Sequence, residues 1–262
     1  MVWSTEVEVV GRMSNYGVEH LSVIAFTVVA AIALVRAARR VSGTPVEDRA
    51  LTIAGWIMLV ATLGWLGWNL LPWNWNIEQS LPLHLSDALR FITSFALLTR
   101  SGWLIAISYY WGLTLNIQSL LTPDLAYFHA PVFEFFAYWF FHVMAFLAPI
   151  VFVWGFGYRP TWRGYGIAFA STLVWAAIAG TANALTGANY MYLARAPEVA
   201  SAIDLLGPWP VYILSEIALV AGVWALITWP WTGRRAREIP VADRLGAVRR
   251  LPQTGRSSRR AR

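Results

Sequence analysis

Seven stretches of mostly apolar residues, each long enough to cross a bilayer as a helix, succeed one another along this chain and leave little room for any other architecture. A spanning helix needs roughly 20 such residues. The runs are Leu21–Ala38, Leu51–Leu71, Leu83–Leu98, Trp103–Leu121, Val132–Phe156, Tyr165–Leu185 and Trp209–Trp231. Composition agrees: 13% of residues are charged and 58% hydrophobic, against about 25% and about 45–50% in soluble domains. The fold class expected is an all-α polytopic transmembrane helix bundle of about seven spans. The third run is the shortest and carries Ser86, Asp87 and Arg90. Omitting it would put Arg100 and the later loops on inconsistent sides of the membrane.

Arginine placement orients the bundle, because short cytoplasmic loops collect basic residues. With the N-terminus outside, the inner loops hold Arg36, Arg39, Arg40 and Arg49, then Arg100, then Arg159 and Arg163, while the outer pieces hold Arg12 and Arg195. The net charge of +6 resides largely in the end of the chain, where residues 232–262 form an Arg-rich segment poor in large apolar residues. Such a segment is expected to be a disordered cytoplasmic tail, following a transmembrane domain over residues 1–231. Its arginines suit anionic inner-leaflet lipid, or serve only as a topological anchor. No aromatic residues interleave them for stacking, which argues against nucleic acid. Glu6, Glu8, Arg12 and Glu19 precede the first run, so it does not read as a cleaved signal.

Polar residues inside the runs gather toward one side. Ionisable groups at hydrocarbon depth need partners or a wet cavity and mark candidate sites. Ser86, Asp87 and Arg90 fall in the first turns of the third run, with His84 just before them; Gln118 and Asn116 fall near the outer end of the fourth, with Asp124 beyond it. His142 is about 15 Å into the fifth, Asn183 is near the outer end of the sixth with Asn189 and Tyr190 beyond, and Glu216 is two turns into the seventh. Together they predict an outward-opening pocket that binds substrate through His84, Arg90, Gln118, Asp124, Asn183, Asn189, Tyr190 and Glu216. His142, a buried imidazole that can change charge near neutral pH, suits a general base. Plainer roles stand beside these. Asp87 and Arg90 are spaced for an ion pair within one helix, Ser86 could bond its own i−4 carbonyl, and the Asn and Gln side chains could link helices. The chain has no cysteine and no tight His ligand pair, so neither metal nor cofactor is expected.

The stretches LPLHLSD (Leu81–Asp87), YYWGLTLNIQSLLTPDL (Tyr109–Leu125), FFHVMAFLAPI (Phe140–Ile150), GANYMYL (Gly187–Leu193) and LLGPWPVYIL (Leu205–Leu214) resemble the YwaF-like family of bacterial integral membrane proteins. That family is distantly similar to a eukaryotic multi-pass family with acyltransferase activity in ether-phospholipid remodelling. The resemblance implies a nucleophile at Ser86 and a catalytic His at His142, with lipid as substrate and a bacterial plasma membrane as location. The bacterial motif has Cys where this chain has Ser86. A hydroxyl activated by a neighbouring base can carry an acyl group; Asp87 is then placed to orient His142, and Arg90 to receive an oxyanion or phosphate. Two other functions use the same pocket without covalent chemistry: a lipid-binding scaffold and a transporter. No internal repeat and no matching pair of broken spans favours transport.

Overall fold

The computed structural model describes residues 9–196 and 205–232, so the Arg-rich tail lies outside the described residues. Helices α1 (Val18–Val41), α2 (Pro45–Asn69), α3 (Leu85–Thr99) and α4 (Gly102–Tyr110) come first. A π-turn at Trp111–Leu115 joins α4 to the short α5 (Ile117–Leu121); α6 (Pro131–Ile150) runs into a second π-turn, Val151–Gly155. Then follow α7 (Trp162–Thr186), a 3-10 turn at Tyr190–Tyr192 and α8 (Val211–Thr232). Five of these rods, Val18–Val41, Pro45–Asn69, Pro131–Gly155, Trp162–Thr186 and Val211–Thr232, are long and apolar enough to cross a membrane. Every apolar run read from the sequence is helical, with ends shifted by a few residues. The chain is an all-α membrane protein.

The two remaining segments depart from simple rods. Helix α3 has 15 residues, about 22 Å of rise against a hydrocarbon core of about 30 Å. Its first turn therefore starts below the bundle surface. The loop before it must satisfy its own backbone, since irregular chain near hydrocarbon has no water to use. Asn74 Nδ2 donates to Trp68 O at 2.9 Å, Ser80 Oγ accepts from Asn76 N at 2.7 Å, and Asn76 Oδ1 accepts from Glu78 N at 2.9 Å. The fourth apolar run is broken by its π-turn, where Gly112 lies so close to α6 that a Cβ would sit 2.4 Å from Ala145 O. A wider turn and an absent side chain together bring the two backbones into contact.

Local sequence explains where the helices begin and end. Pro45 opens α2, with Glu47 and Asp48 in its first turn favouring the positive end of the helix dipole. Thr161 Oγ1 accepts from Gly164 N at 3.0 Å to cap α7, which Gly187 ends in the left-handed conformation at φ 79°. Arg100, also left-handed, ends α3 and donates to Asp48 O at 2.6 Å and Thr52 Oγ1 at 2.8 Å, closing the α2–α3 hairpin. At the opposite end the two-residue strands β1 (Gly11–Arg12) and β2 (Ala126–Tyr127) pair antiparallel, tying the N-terminal segment to the α5–α6 loop. Buried His20 reinforces that tie. Its Nδ1 accepts from Tyr16 N at 2.9 Å, which leaves Nε2 to donate to Leu120 O at 2.8 Å.

Helix α3 packs along α2 and α4, α4 along α7, and α6 touches α3, α4 and α1. Helix α8 is held mainly by its second half. Tyr109 and Tyr110 donate to or share protons with Ile227 O and Thr228, Tyr165 donates to Ala221 O, and Trp224 Nε1 donates to Thr114 Oγ1 at 2.8 Å. In α2, by contrast, Gly64 faces open space. Gly112→Ala is expected to destabilise the bundle by about 1–3 kcal/mol through overpacking, while Gly64→Ala is neutral or slightly stabilising. Thermal unfolding of both variants in detergent checks this, and equal midpoints would contradict the close approach at Gly112.

Candidate functional site

A cavity of about 1990 Å³ occupies one half of the bundle, about twice the upper range of ordinary ligand pockets. Its lining falls at residues 84–90 of α3 and its cap, 113–122 around α5, 134–142 of α6, 169–176 of α7 and 213–224 of α8. In α3, α5 and α6 these positions fall toward the 70–84 and 122–130 connections, which also supply lining residues, so the cavity opens at that end; in α7 and α8 the lining reaches the middle of each helix. The other end carries Arg39, Arg40, Arg49, Arg100, Arg159 and Arg163. Of the polar residues expected to share a pocket, His84, Ser86, Asp87, Arg90, Asn116, Gln118, Asp124, His142 and Glu216 line this one space.

His142 is buried and fixed on both sides. Asn116 Nδ2 donates to the His142 carbonyl at 2.9 Å, which aims Asn116 Oδ1 at His142 Nδ1, 2.7 Å away. Since that oxygen can only accept, Nδ1 carries the hydrogen. Nε2 is then the basic nitrogen, and it has no protein partner among the described residues. Tyr138 packs on the imidazole with ring centres 4.3 Å apart, held by its own bond to Ser119 O at 2.9 Å. Asn116 follows immediately on the π-turn, and π-turns are frequent at functional sites because they re-aim side chains. Sequence reading grouped Asn116 among helix-linking amides; its pairing with His142 depends on the widened turn, which leaves no periodic signal.

On the facing helix, Ser86 lies in the first turn of α3 and lines the cavity. It makes no bond to its i−4 carbonyl. Neither Leu85 nor Ser86 donates its backbone N–H among the described residues, as first-turn groups of a helix lack intrahelical acceptors. Asp87 Oδ2 accepts from His84 N at 3.1 Å and Oδ1 meets Arg90 NH1 at 3.1 Å. Asp87 is thus a helix cap and ion-pair partner instead of the orienter of His142; Asn116 holds that place. The Arg90 guanidinium stacks 4.7 Å from the ring centre of Phe141, the residue before His142. Its Nε is buried without an acceptor, so the cation retains an unused donor beside the cavity.

The other expected residues divide into two groups. Gln118 and Glu216 line the cavity with no side-chain partner among the described residues, and Asp124 lines its mouth while paired with Arg12 at 2.6 Å. His84 lines it too, with Nε2 bonded to Glu78 O at 3.0 Å and its ring edge-on to Tyr190. Asn183, Asn189 and Tyr190 are outside the lining. Asn183 brackets Tyr190 through its backbone N and O at 2.7 and 2.9 Å, and Asn189 bonds the backbone of Arg195. Burial pushes the Tyr190 phenol up to about 12, so it remains a donor to Ile77 O. These three residues brace the loop that frames the mouth. Glu134, missed as a structural group, accepts from Phe128, His129 and Ala130 N–H and folds the α5–α6 loop over α6. Among the described residues no group of three or more His, Asp or Glu could hold a metal ion.

A bundle of long apolar helices around an internal cavity defines a multi-pass membrane protein. The chain belongs to the TMEM164 family, whose sequence profile matches residues 15–228. No curated protein and no solved structure matches it.

Asn116→Ala is expected to release the Nδ1–H tautomer and to leave a buried imidazole nitrogen unsatisfied, at a cost of about 1–3 kcal/mol. Nitrogen-15 spectra of histidine-labelled protein, with His142→Gln for assignment, should show one neutral tautomer in the native protein and its loss in Asn116→Ala. An unchanged His142 signal would contradict the assignment.

Proposed function

We propose that this chain is a lipid acyltransferase or acyl hydrolase that works from an outward-facing chamber of a bacterial plasma membrane. The observation that carries the reading is His142, held by Asn116 with its basic nitrogen unpaired, in the same cavity as Ser86. Support also comes from the resemblance of LPLHLSD and its companion motifs to the YwaF-like family, and through it to acyltransferases of ether phospholipids. The arginines at the closed end and in the tail favour a cytoplasmic C-terminus over about seven spans, with the tail against anionic lipid.

In the proposed reaction Ser86 Oγ attacks an ester carbonyl while its proton passes to His142 Nε2. Charge on the carbonyl oxygen is met by the free N–H groups at the start of α3 and by Arg90. The tetrahedral species collapses with breakage of the ester C–O bond, and the departing alkoxide takes the proton from His142. An acceptor hydroxyl or water, its proton taken by His142 Nε2, then attacks the acyl-Ser86 ester, and the Oγ–acyl bond breaks as His142 returns that proton to Ser86 Oγ. Asn116 keeps Nε2 on the reacting side throughout, as an orienting residue does in other nucleophile–His arrangements.

The absence of cysteine favours a second reading, a lipid-binding protein without chemistry. Transport fits less well, because the cavity stops at mid-bundle and the second half of α8 is bonded tightly to α4 and α7. Acyl exchange in membranes containing the full-length protein separates these readings. Ser86→Ala and His142→Ala should each lower the rate by about 1000-fold or more, as loss of one member of a nucleophile–base pair does. Ser86→Cys should retain turnover, since a thiol is the stronger nucleophile. Equal lipid profiles for all variants and for membranes lacking the protein would leave only the binding reading.

A further inference from the structure

The cavity has two chemically different arms. Ser86, Arg90, Asn116 and His142 line the side formed by α3, α5 and α6. The other side, between α7 and the first half of α8, is lined by Leu113, Phe169, Leu173, Val220 and Val223. This second arm exists because α8 is fastened unevenly. Its described side-chain and backbone bonds to neighbouring helices fall at Ala221, Trp224, Ile227 and Thr228, and none falls on residues 213–220. Tyr212, bonded to Tyr192 O, fixes the upper end. The stretch in between is held by packing alone, with Val220 against the main core, and Ile217 faces both the cavity and the outer surface.

The lower limit of the arm is as definite as its walls. Trp224 is fully buried, its indole N–H donates to Thr114 Oγ1 at 2.8 Å, and its ring packs against Tyr110 with centres 5.0 Å apart. Thr114 in turn bonds Tyr110 O on the π-turn. Trp224 and Thr114 line the cavity, whereas Tyr110 and Thr228 beneath them do not. From Glu216 to Trp224 the helix descends about 12 Å, a slot for an extended hydrocarbon chain.

We infer that the arm between α7 and α8 holds one hydrocarbon chain of an amphiphile whose polar end lies among Ser86, Arg90 and His142, and that Trp224 is the floor that sets the preferred chain length. The inference rests on the lipid reading of the site and adds its specificity-determining residue. An apolar wall gains from each methylene it covers, and a chain longer than the slot leaves methylenes uncovered or forces the floor aside. Trp224 thereby discriminates by length while the polar arm is indifferent to it. Val220 lies one turn above Trp224, so a large side chain there raises the floor by about 6 Å.

The test measures binding in place of turnover. Full-length protein carrying Ser86→Ala, purified in detergent, is titrated with lysophospholipids of one headgroup and increasing chain length, with bound lipid read by native mass spectrometry. A single preferred length is expected. Adding Val220→Trp should move the preference to shorter chains and weaken the formerly best ligand by about a hundredfold or more, the effect of about four methylenes left unburied. Adding Trp224→Leu should move it to longer chains. The two substitutions act in opposite directions, so destabilisation alone cannot imitate the pattern; melting curves identify a variant that does not fold, and the other then decides. Uniform binding of all lengths, no saturable binding, or an unshifted preference in a folded variant overturns the inference. A shifted preference without any Ser86-dependent acyl exchange in the native protein would retain the chain slot and remove the catalytic reading. Exchange that depends on Ser86 with unshifted preference would do the reverse.

Discussion

Polar groups at hydrocarbon depth have no water to bond, and most of this fold can be traced to how each one is answered. A backbone loop, a carboxylate or an imidazole placed there must find a protein partner or border a wet space. Asp87 is answered by the His84 N–H and by Arg90, and Glu134 by three consecutive backbone N–H groups. Asn116 answers one nitrogen of His142 and, by doing so, leaves the other for the cavity. Among the described residues some groups are left unanswered: Thr93, Ser108 and Trp139 in the packed interior, and, on residues that line the cavity, Arg90 Nε, His142 Nε2, Gln118 and Glu216.

Two backbone irregularities make the chamber. A full-length third helix would carry Ser86 to the bundle surface; the short α3 lets its positive end start inside, where a developing negative charge would meet both the dipole and free N–H groups. The π-turn at Trp111–Leu115 re-aims Asn116 toward α6, and Gly112 permits the approach. Packing then closes one end. Aromatic rings and hydroxyls lock α8 to α4 and α7 in the arginine-bearing half, while residues 213–220 make no hydrogen bond to a neighbouring helix among the described residues. The result is a cavity open at one end, with polar and apolar sides suited to an amphiphile.

The helical segments were legible in the sequence because a bilayer imposes a length that composition alone reveals. The gathering of polar residues toward one end could be read as well, since Ser86, Glu216 and His142 all fall in the first half of their runs counted from the same side. Partnerships were not. Asn183, Asn189 and Tyr190 share the polarity of cavity residues, yet their bonds turn inward to the loop, and only a folded 3-10 turn discloses that. Asp87 was the obvious companion for His142 by charge, but the cap it forms at His84 depends on where α3 begins. Asn116 reads from sequence as a pocket residue or a linking amide, and its pairing with His142 is hidden because helical periodicity cannot anticipate an inserted π-turn. Of the Arg-rich tail expected over residues 232–262, Thr232 ends α8 and residues 233–262 lie outside the described structure.

Whether Ser86 is a nucleophile activated by His142 is the claim on which the chemical reading turns, and covalent trapping addresses it directly. Purified full-length protein treated with a long-chain fluorophosphonate, which marks only activated hydroxyls, can be digested and its adduct mapped by mass spectrometry. An adduct on Ser86 that disappears in His142→Ala is the expected result. No adduct, or labelling of Ser86 that persists undiminished without His142, would contradict it.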